Sequence, residues 1–369
     1  MRSHRIALIP GDGIGTEVVP PACAVLDTVG QRHGFRLDYT EYDWGCARYA
    51  ATGTMMPDDG LHQLSTADAI LLGAVGYPGV PDHISLWGLL IPIRRTFDQY
   101  VNLRPITVFD GVPGPLRDAT GTDIVIVREN VEGEYSTVGE RTHTGTPHEQ
   151  ATQQSLFTRQ GIERITRYAL DTAATRRHHL TSATKSNGII HTMPFWDDVV
   201  THTVTTWNEQ HATHPSASAP PQIQLHSEHI DALAAKLVLN PRDYDVIVAS
   251  NLFGDILSDL AAALAGSIGI APAGNINPSR RFPSMFEPVH GSAPDIAGRG
   301  VANPLGTVWA ASMMLDHLGE HDAAAEIISA MTAVVADPSS RTADLAGTAN
   351  TRQCALAVIA HLTAMGSRA

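Results

Sequence analysis

Apolar residues in this chain come in short runs that end in polar or glycine-rich clusters, with longer amphipathic stretches between them. RIALI (5–9) reads as a buried strand and PGDGIG turns the chain. Ile14, Val18, Ala22, Val25, Leu26 and Val29 then recur at helical spacing. FRLDYTEYDW (35–44) alternates like a strand. ADAILLGAVG (67–76), GTDIVIVREN (121–130), HLTSATKSNG (179–188) and YDVIVASN (244–251) are apolar runs with polar C-terminal ends. Amphipathic helical stretches fall near 155–175 and 193–210. After about residue 302 the chain reads as helical, through ANPLGTVWAASMMLDHLG, DAAAEIISAMTAVVA and CALAVIAHLTAM. Strands alternating with helices predict an α/β protein with a largely parallel sheet. HATHPSASAPP (211–221) is a loop or insertion inside that pattern rather than a domain boundary.

Length and composition narrow the class. At 369 residues and 43% apolar, the chain suggests about two domains with a sizeable core. A net charge of −13 argues against nucleic-acid backbones and anionic membranes as partners. Cys23, Cys46 and Cys354 form no CxxC pair and no disulfide framework, so a reducing compartment is expected. MRSHRIALIPGDG lacks the apolar segment of a signal peptide, and the most apolar tract, 260–276, is too short and too broken to span a bilayer. A soluble, cytoplasmic protein is the expectation.

Two glycine and charge patterns bear on chemistry. GDGIG follows a strand and opens a helix, but its glycines are Gly11, Gly13 and Gly15 and position 16 is Thr, so the G-x-G-x-x-G dinucleotide fingerprint is not met. A tight strand-to-helix turn is favoured over a phosphate cradle. SNLFGDILSDLAAALAG (250–266) places Asp255 and Asp259 four apart, on one face of a helix that Asn251 can cap. Asp255 alone could offset the helix dipole. Asp259, a turn further on among Leu257, Leu260 and Ala263, calls for a cation, and no Lys or Arg occurs from 243 to 279. The pair therefore favours a divalent metal with oxygen ligands, Mg²⁺ or Mn²⁺.

Arg94 and Arg104 in IRRTFDQYVNLRP, and Arg128 at the end of the VIVREN strand, suit bidentate binding of carboxylates, although any one arginine alone is more often merely solvated. Tyr135 in ENVEGEYS and Lys185 after LTSAT stand at C-terminal strand ends and could serve as acid and base, or be ordinary polar loop residues. MFEPVHGSAPDIAGRGVANP (285–304) reads as a structured loop in which Asp295 could bind a ribose hydroxyl pair, or as a surface Ω-loop. His211/His214 and His226/His229 have zinc-like spacing but no convincing third ligand, and are taken as incidental.

Together, ALIPGDGIG, FDQYVNLRP, RENVEGEYS, LTSATKSNG, NLFGDILSDLAA and EPVHGSAPDIAG with ANP resemble the β-decarboxylating dehydrogenases acting on isocitrate, 3-isopropylmalate and tartrate or D-malate. DWGCARYAATGTMMPDDGL, GVPDHISLWGLL and RRFPSMFEPVHGSAPDIAG look most like the tartrate/D-malate branch. The resemblance implies an isopropylmalate dehydrogenase-like fold: two α/β domains sharing a long mixed, largely parallel sheet. Residues 1–100 and 256–369 would form a discontinuous first domain carrying most of the NAD site, and 101–255 a second domain with substrate and dimer contacts. It also implies NAD-dependent oxidation of a small 2-hydroxy diacid with β-decarboxylation. Asp255 and Asp259 would bind Mg²⁺ or Mn²⁺, with Asp231 (EHIDALAA) and Lys185 supplied across a homodimer interface. Arg94, Arg104 and Arg128 would bind substrate carboxylates. Lys185 would take the hydroxyl proton and Tyr135 would protonate the product carbon. Glu287, His290, Gly291, Ser292, Ala293, Pro294, Asp295 and Asn303 would form the cofactor loop, with Asp295 selecting NAD over NADP. K⁺ is a candidate further cofactor. The chain departs from the branch at Val131, Ser227 and Glu228. Leu89, Leu90 and Ile91 beside Arg94 keep 3-isopropylmalate as an alternative substrate. A non-catalytic regulatory subunit ranks lower, because Tyr135, Lys185 and the three aspartates are all present.

Overall fold

The computed structural model describes residues 2–116, 119–212 and 222–366. The remaining part of the Pro- and Ser-rich stretch, including His214, lies outside the described residues. In chain order the strands are β1 (Arg2–Gly11), β2 (Phe35–Glu41), β3 (Ala69–Ala74), β4 (Val101–Thr107), β5 (Asp123–Glu129), β6 (Gly139–Thr142), β7 (Gln150–Gln153), β8 (His179–Thr184), β9 (Gln224–His229), β10 (Val246–Ala249), β11 (Pro272–Ile276) and β12 (Ser284–Pro288). The helices of ten residues or more are α1 (Gly15–His33), α2 (Arg159–Ala174), α3 (Thr192–Ala212), α4 (Ile230–Leu239), α5 (Asn251–Leu264), α6 (Leu305–Leu318), α7 (His321–Ala336) and α8 (Thr351–Gly366). Among the described residues, no helix is long and apolar enough to cross a membrane.

The chain forms two compact units. The first comprises Met1–Gln99, Arg104–Gly121 and Ala262–Ala369. Its strands run in the order β2-β1-β3-β12-β11, parallel except where β11 meets β12. β3 is buried at all six positions because parallel strands are covered on both faces. In α1, Val18, Ala22, Val25, Leu26 and Val29 are fully buried, so the 3.6-residue apolar stripe becomes the face set on the sheet and on α8. Gly34, at a φ of 71°, ends the helix in the left-handed conformation.

The second unit comprises Tyr100–Leu103 and Thr122–Ala261. Its strands run β5-β10-β8-β9, all parallel, with α2 packed against α3. Thr158 caps α2 by accepting from Gly161 N at 3.0 Å. β6 and β7 form a separate antiparallel pair.

Two expectations need correction. Residues 104–121 group with the first unit, because Phe109 packs edge-on to Trp309 and Arg341 Nη1 donates to the Gly111 carbonyl at 2.6 Å. The segment from 285, expected to be a loop, begins as strand β12, buried throughout and paired with β3 and β11.

Candidate active site

In the second unit, β5 ends by placing Arg128 in the protein interior, 3% exposed. Its Nε and Nη2 donate to Asn251 Oδ1 at 3.0 and 2.7 Å, and Nη1 donates to Asp255 Oδ1. Asn251 Nδ2 in turn donates to the Glu132 carbonyl at 3.0 Å. Gly254 makes room for the arginine: a Cβ there would lie 2.6 Å from Arg128 Cβ and Cγ. The next turn of chain delivers Tyr135, whose hydroxyl donates to Asp255 Oδ2 at 2.9 Å. Burial first, then the Asp255 charge, pushes the Tyr135 phenol up to about 12, with Arg128 opposing. The group is therefore protonated at neutral pH, as a proton donor must be.

Asn251, expected to cap α5, spends its side chain on Arg128 and Glu132 instead. The cap comes from Glu134, whose Oε2 accepts from Leu252 N at 3.0 Å and whose Oε1 accepts from Ser250 Oγ at 2.7 Å. The setting of Asp259 also differs from expectation. The buried face of α5 is Phe253, Gly254, Leu257, Ser258, Ala261 and Ala262, which leaves Asp259 exposed and Asp255 half-buried on an accessible face. Two carboxylates one turn apart on such a face, with hard oxygen donors only, fit a divalent cation such as Mg²⁺ or Mn²⁺.

Lys185 directly follows β8, and Asp231 stands in the first turn of α4. Lys185 Nζ donates to Asp231 Oδ1 at 2.7 Å, which holds the Asp231 carboxyl below its ordinary value. The Asp231 side chain is 68% exposed. Among the described residues, no three His, Cys, Asp or Glu converge to hold a metal. Asp231, Asp255 and Asp259 thus do not form one three-ligand cluster among the described residues of a single chain, and His226 and His229 belong to no such cluster. Glu228, one of the departures from the branch, accepts from Lys236 Nζ at 3.1 Å and Tyr244 Oη at 3.2 Å.

In the first unit, Arg94 lies on the helix Ile91–Thr96 and Arg104 on β4, 8% and 7% exposed. Arg94 Nη2 donates to Glu287 Oε1 at 2.8 Å, and Asn275 Nδ2 donates to the same oxygen at 2.7 Å. A cavity of about 180 Å³ opens here. Its lining includes Arg94, Arg104, Glu287 and His290, with Leu72, Val75, Leu90 and Val289 as apolar wall. His290 Nδ1 donates to the Gly291 carbonyl at 3.0 Å, while Nε2 is buried with no protein partner. Burial pushes the imidazole below its ordinary value, so it stays neutral. An orphaned ring nitrogen at the wall of a cavity fits a polar ligand group. In the loop that follows, Ser292 is buried and Gly291, Pro294 and Asp295 are exposed, while Ala293 has a φ of 39°. Asn303 caps α6 by accepting from Leu305 N at 2.9 Å. Its Nδ2 donates to Asp344 Oδ2 at 2.9 Å, which also accepts from Ser267 Oγ at 2.6 Å. Asp344, Glu134 and Asn275 carried no signal in the sequence, because each acts on a partner far along the chain or inside a buried pair, and Asn251 was marked only as a helix cap.

Residues 5–358 match the family model for isocitrate/isopropylmalate dehydrogenase. The chain is 51% identical over 355 residues to the probable tartrate dehydrogenase/decarboxylase of Bacillus subtilis (strain 168), covering 96% of each. It is 51% identical over 368 residues to the D-malate dehydrogenase [decarboxylating] of Escherichia coli (strain K12), covering 97% of this chain and 98% of that one. The crystal structure of isocitrate dehydrogenase from Methylococcus capsulatus superposes with a TM-score of 0.84 at 34% identity, over 97% of this chain and 99% of that one. The resemblance in the motifs is borne out over nearly the whole length: the chain is an enzyme of the isocitrate/isopropylmalate dehydrogenase family.

Proposed function

We propose that this enzyme oxidises a small 2-hydroxy diacid, D-malate or tartrate, with NAD as hydride acceptor, and releases as CO₂ the carboxylate β to the new carbonyl. The observation that carries the diacid is the presence of three buried arginines, Arg94 in the last turn of a short helix, Arg104 within β4 and Arg128 near the end of β5. Buried guanidinium groups are suited to carboxylate partners. The names of the 51% identical relatives support D-malate and tartrate among diacids.

Asp255 and Asp259, with Asp231 of a second copy, would hold Mg²⁺ or Mn²⁺, whose chemistry is to acidify the substrate hydroxyl and draw charge from the carbonyl. The loop from Glu287 to Asn303 would hold NAD, whose chemistry is to take up the hydride from C2 of the substrate. Asp295, exposed on that loop, disfavours the 2′-phosphate of NADP by charge. The arginines fix the substrate carboxylates, which converts binding into orientation. Lys185 takes the hydroxyl proton. Tyr135, already protonated at neutral pH, gives its proton to the carbon that CO₂ leaves. An exposed, mutually aligned Lys185–Asp231 pair is the form in which a chain could offer both groups to another copy, which supports a homodimer. The three free cysteines support a reducing, cytoplasmic setting.

Leu90 on the cavity wall supports a second reading, 3-isopropylmalate, whose isopropyl group it could contact. A panel of D-malate, L-tartrate, meso-tartrate and 3-isopropylmalate, with Mn²⁺, with and without K⁺, and scored for NADH and CO₂, separates the two. The proposal expects kcat/KM to be highest for D-malate or a tartrate. A maximum on 3-isopropylmalate would transfer the assignment.

A further inference from the structure

The GDGIG turn at the start of α1 is not a dinucleotide fingerprint, yet its backbone geometry is demanding. Gly13 sits at a φ of 55°, and a Cβ there would lie 2.1 Å from the Ser292 carbonyl oxygen. Only glycine tolerates both the left-handed backbone and that approach. The approach is used, because Ile14 N donates to the same Ser292 oxygen at 2.9 Å.

One turn further along α1, Glu17 reaches the other end of the same loop. Its Oε1 accepts from Gly298 N and its Oε2 accepts from Gly300 N at 2.8 Å. Gly298 and Gly300 have φ values of 79° and 64°, so the carboxylate closes a turn that contains two left-handed glycines. Thr351 N donates to the Gly300 carbonyl at 3.0 Å, and Thr351 Oγ1 to the Ala302 carbonyl at 2.6 Å. Beneath the loop, Ile14, Val18 and Ala302 form a small buried cluster with Ala293, Ile296 and Ala297 packed on it. The loop from 292 to 302 is therefore fastened at both ends and floored by apolar contact, all within the first unit.

We propose that the first turns of α1 are a clamp on the cofactor loop, and that Gly13 and Glu17 are positioning residues for NAD that do not themselves touch it. The inference rests on the assignment of this loop to NAD. A loop whose ends are tied loses less conformational freedom when a dinucleotide lies along it, so the clamp contributes to affinity by preorganisation. Glu17 supplies two charge-assisted hydrogen bonds, a stronger type than neutral pairs. Gln in its place keeps one acceptor and loses the charge, and Ala loses both.

The test is direct titration of the full-length protein with NADH, followed by nicotinamide fluorescence, alongside amide hydrogen exchange. Glu17→Ala is expected to weaken NADH binding roughly tenfold. Glu17→Gln is expected to fall between parent and Ala. Exchange should quicken in residues 293–302 and stay at parental rates in β1 and β3. With turnover as the second readout, the loss should appear in KM for NAD, with kcat at saturating NAD held within about twofold. Gly13→Ala should weaken NADH binding in the same direction by displacing Ser292. Parental NADH affinity in Glu17→Ala would overturn the clamp, and so would weaker binding without faster exchange at 293–302. Failure of the unaltered protein to bind NADH would overturn the cofactor assignment itself, which is a different result.

Discussion

Glu129 shows how much one side chain can be asked to hold next to the proposed proton donor, Tyr135. It is 1% exposed, and its Oε1 accepts from Val131 N at 2.7 Å and Glu132 N at 3.0 Å, shaping the turn that leads to Tyr135. Its Oε2 has no hydrogen-bond partner. Burial pushes this carboxyl from near 4.5 up to about 7, against the pull of the two amides and Arg164. A carboxyl raised in the folded state favours folding when protonated. Its contribution is fully present below about 4.5 and is lost as pH rises through about 7. Glu129→Gln removes the titration and keeps an acceptor for the turn. Urea unfolding of parent and variant from pH 4.5 to 8 should show the parent losing on the order of 3 kcal/mol relative to the variant as pH rises. A pH-independent difference would contradict this account of Glu129. At this scale Arg128, Tyr135 and Asp255 were legible from residue type at strand and helix ends. The linkage among them was not, because it closes between residues about 120 apart.

The same limit appears at the level of elements. Strands β1, β3, β5 and β10 stood out because each holds a run of mostly branched apolar residues closed by polar ones, and α1 because its buried positions follow the helical period. β9 and the β6–β7 pair carry mostly exposed polar residues, so no alternation marks them. β12 was hidden in a segment whose prolines and glycines read as loop. The start of α5 is the most instructive case. Asn251 has the right residue type for a cap, but the competing buried guanidinium of Arg128 takes its oxygen. Glu134 then satisfies the helix amide from a distant loop. Glu134→Ala should lower unfolding stability by about 1–2 kcal/mol, the size of a lost cap, and should loosen the turn that carries Tyr135. Chemical denaturation with unchanged m-value checks the first point, and a stability within about 0.3 kcal/mol of parent would rule out the capping role.

For the whole molecule, the division into two units follows from contacts made late in the chain. Trp309 and Arg341 draw residues near Phe109 and Gly111 back to the first unit, and no local pattern around 104–121 announces that. The two units carry different parts of the proposed chemistry. The first holds Arg94, Arg104 and the fastened loop, and the second holds Arg128, Tyr135, Lys185 and the aspartates. The central claim is that carboxylates at 231, 255 and 259 hold a divalent ion without which the diacid is not oxidised. The most direct measurement is a Mn²⁺ titration of metal-stripped protein in the presence of D-malate, followed by electron paramagnetic resonance and by NADH formation in the same samples. The account predicts that turnover rises with bound Mn²⁺ in the parent, and that Asp255→Asn with Asp259→Asn abolishes both signals while the fold persists by circular dichroism. Parental turnover in that double variant, or in the stripped parent before any metal is added, would contradict it.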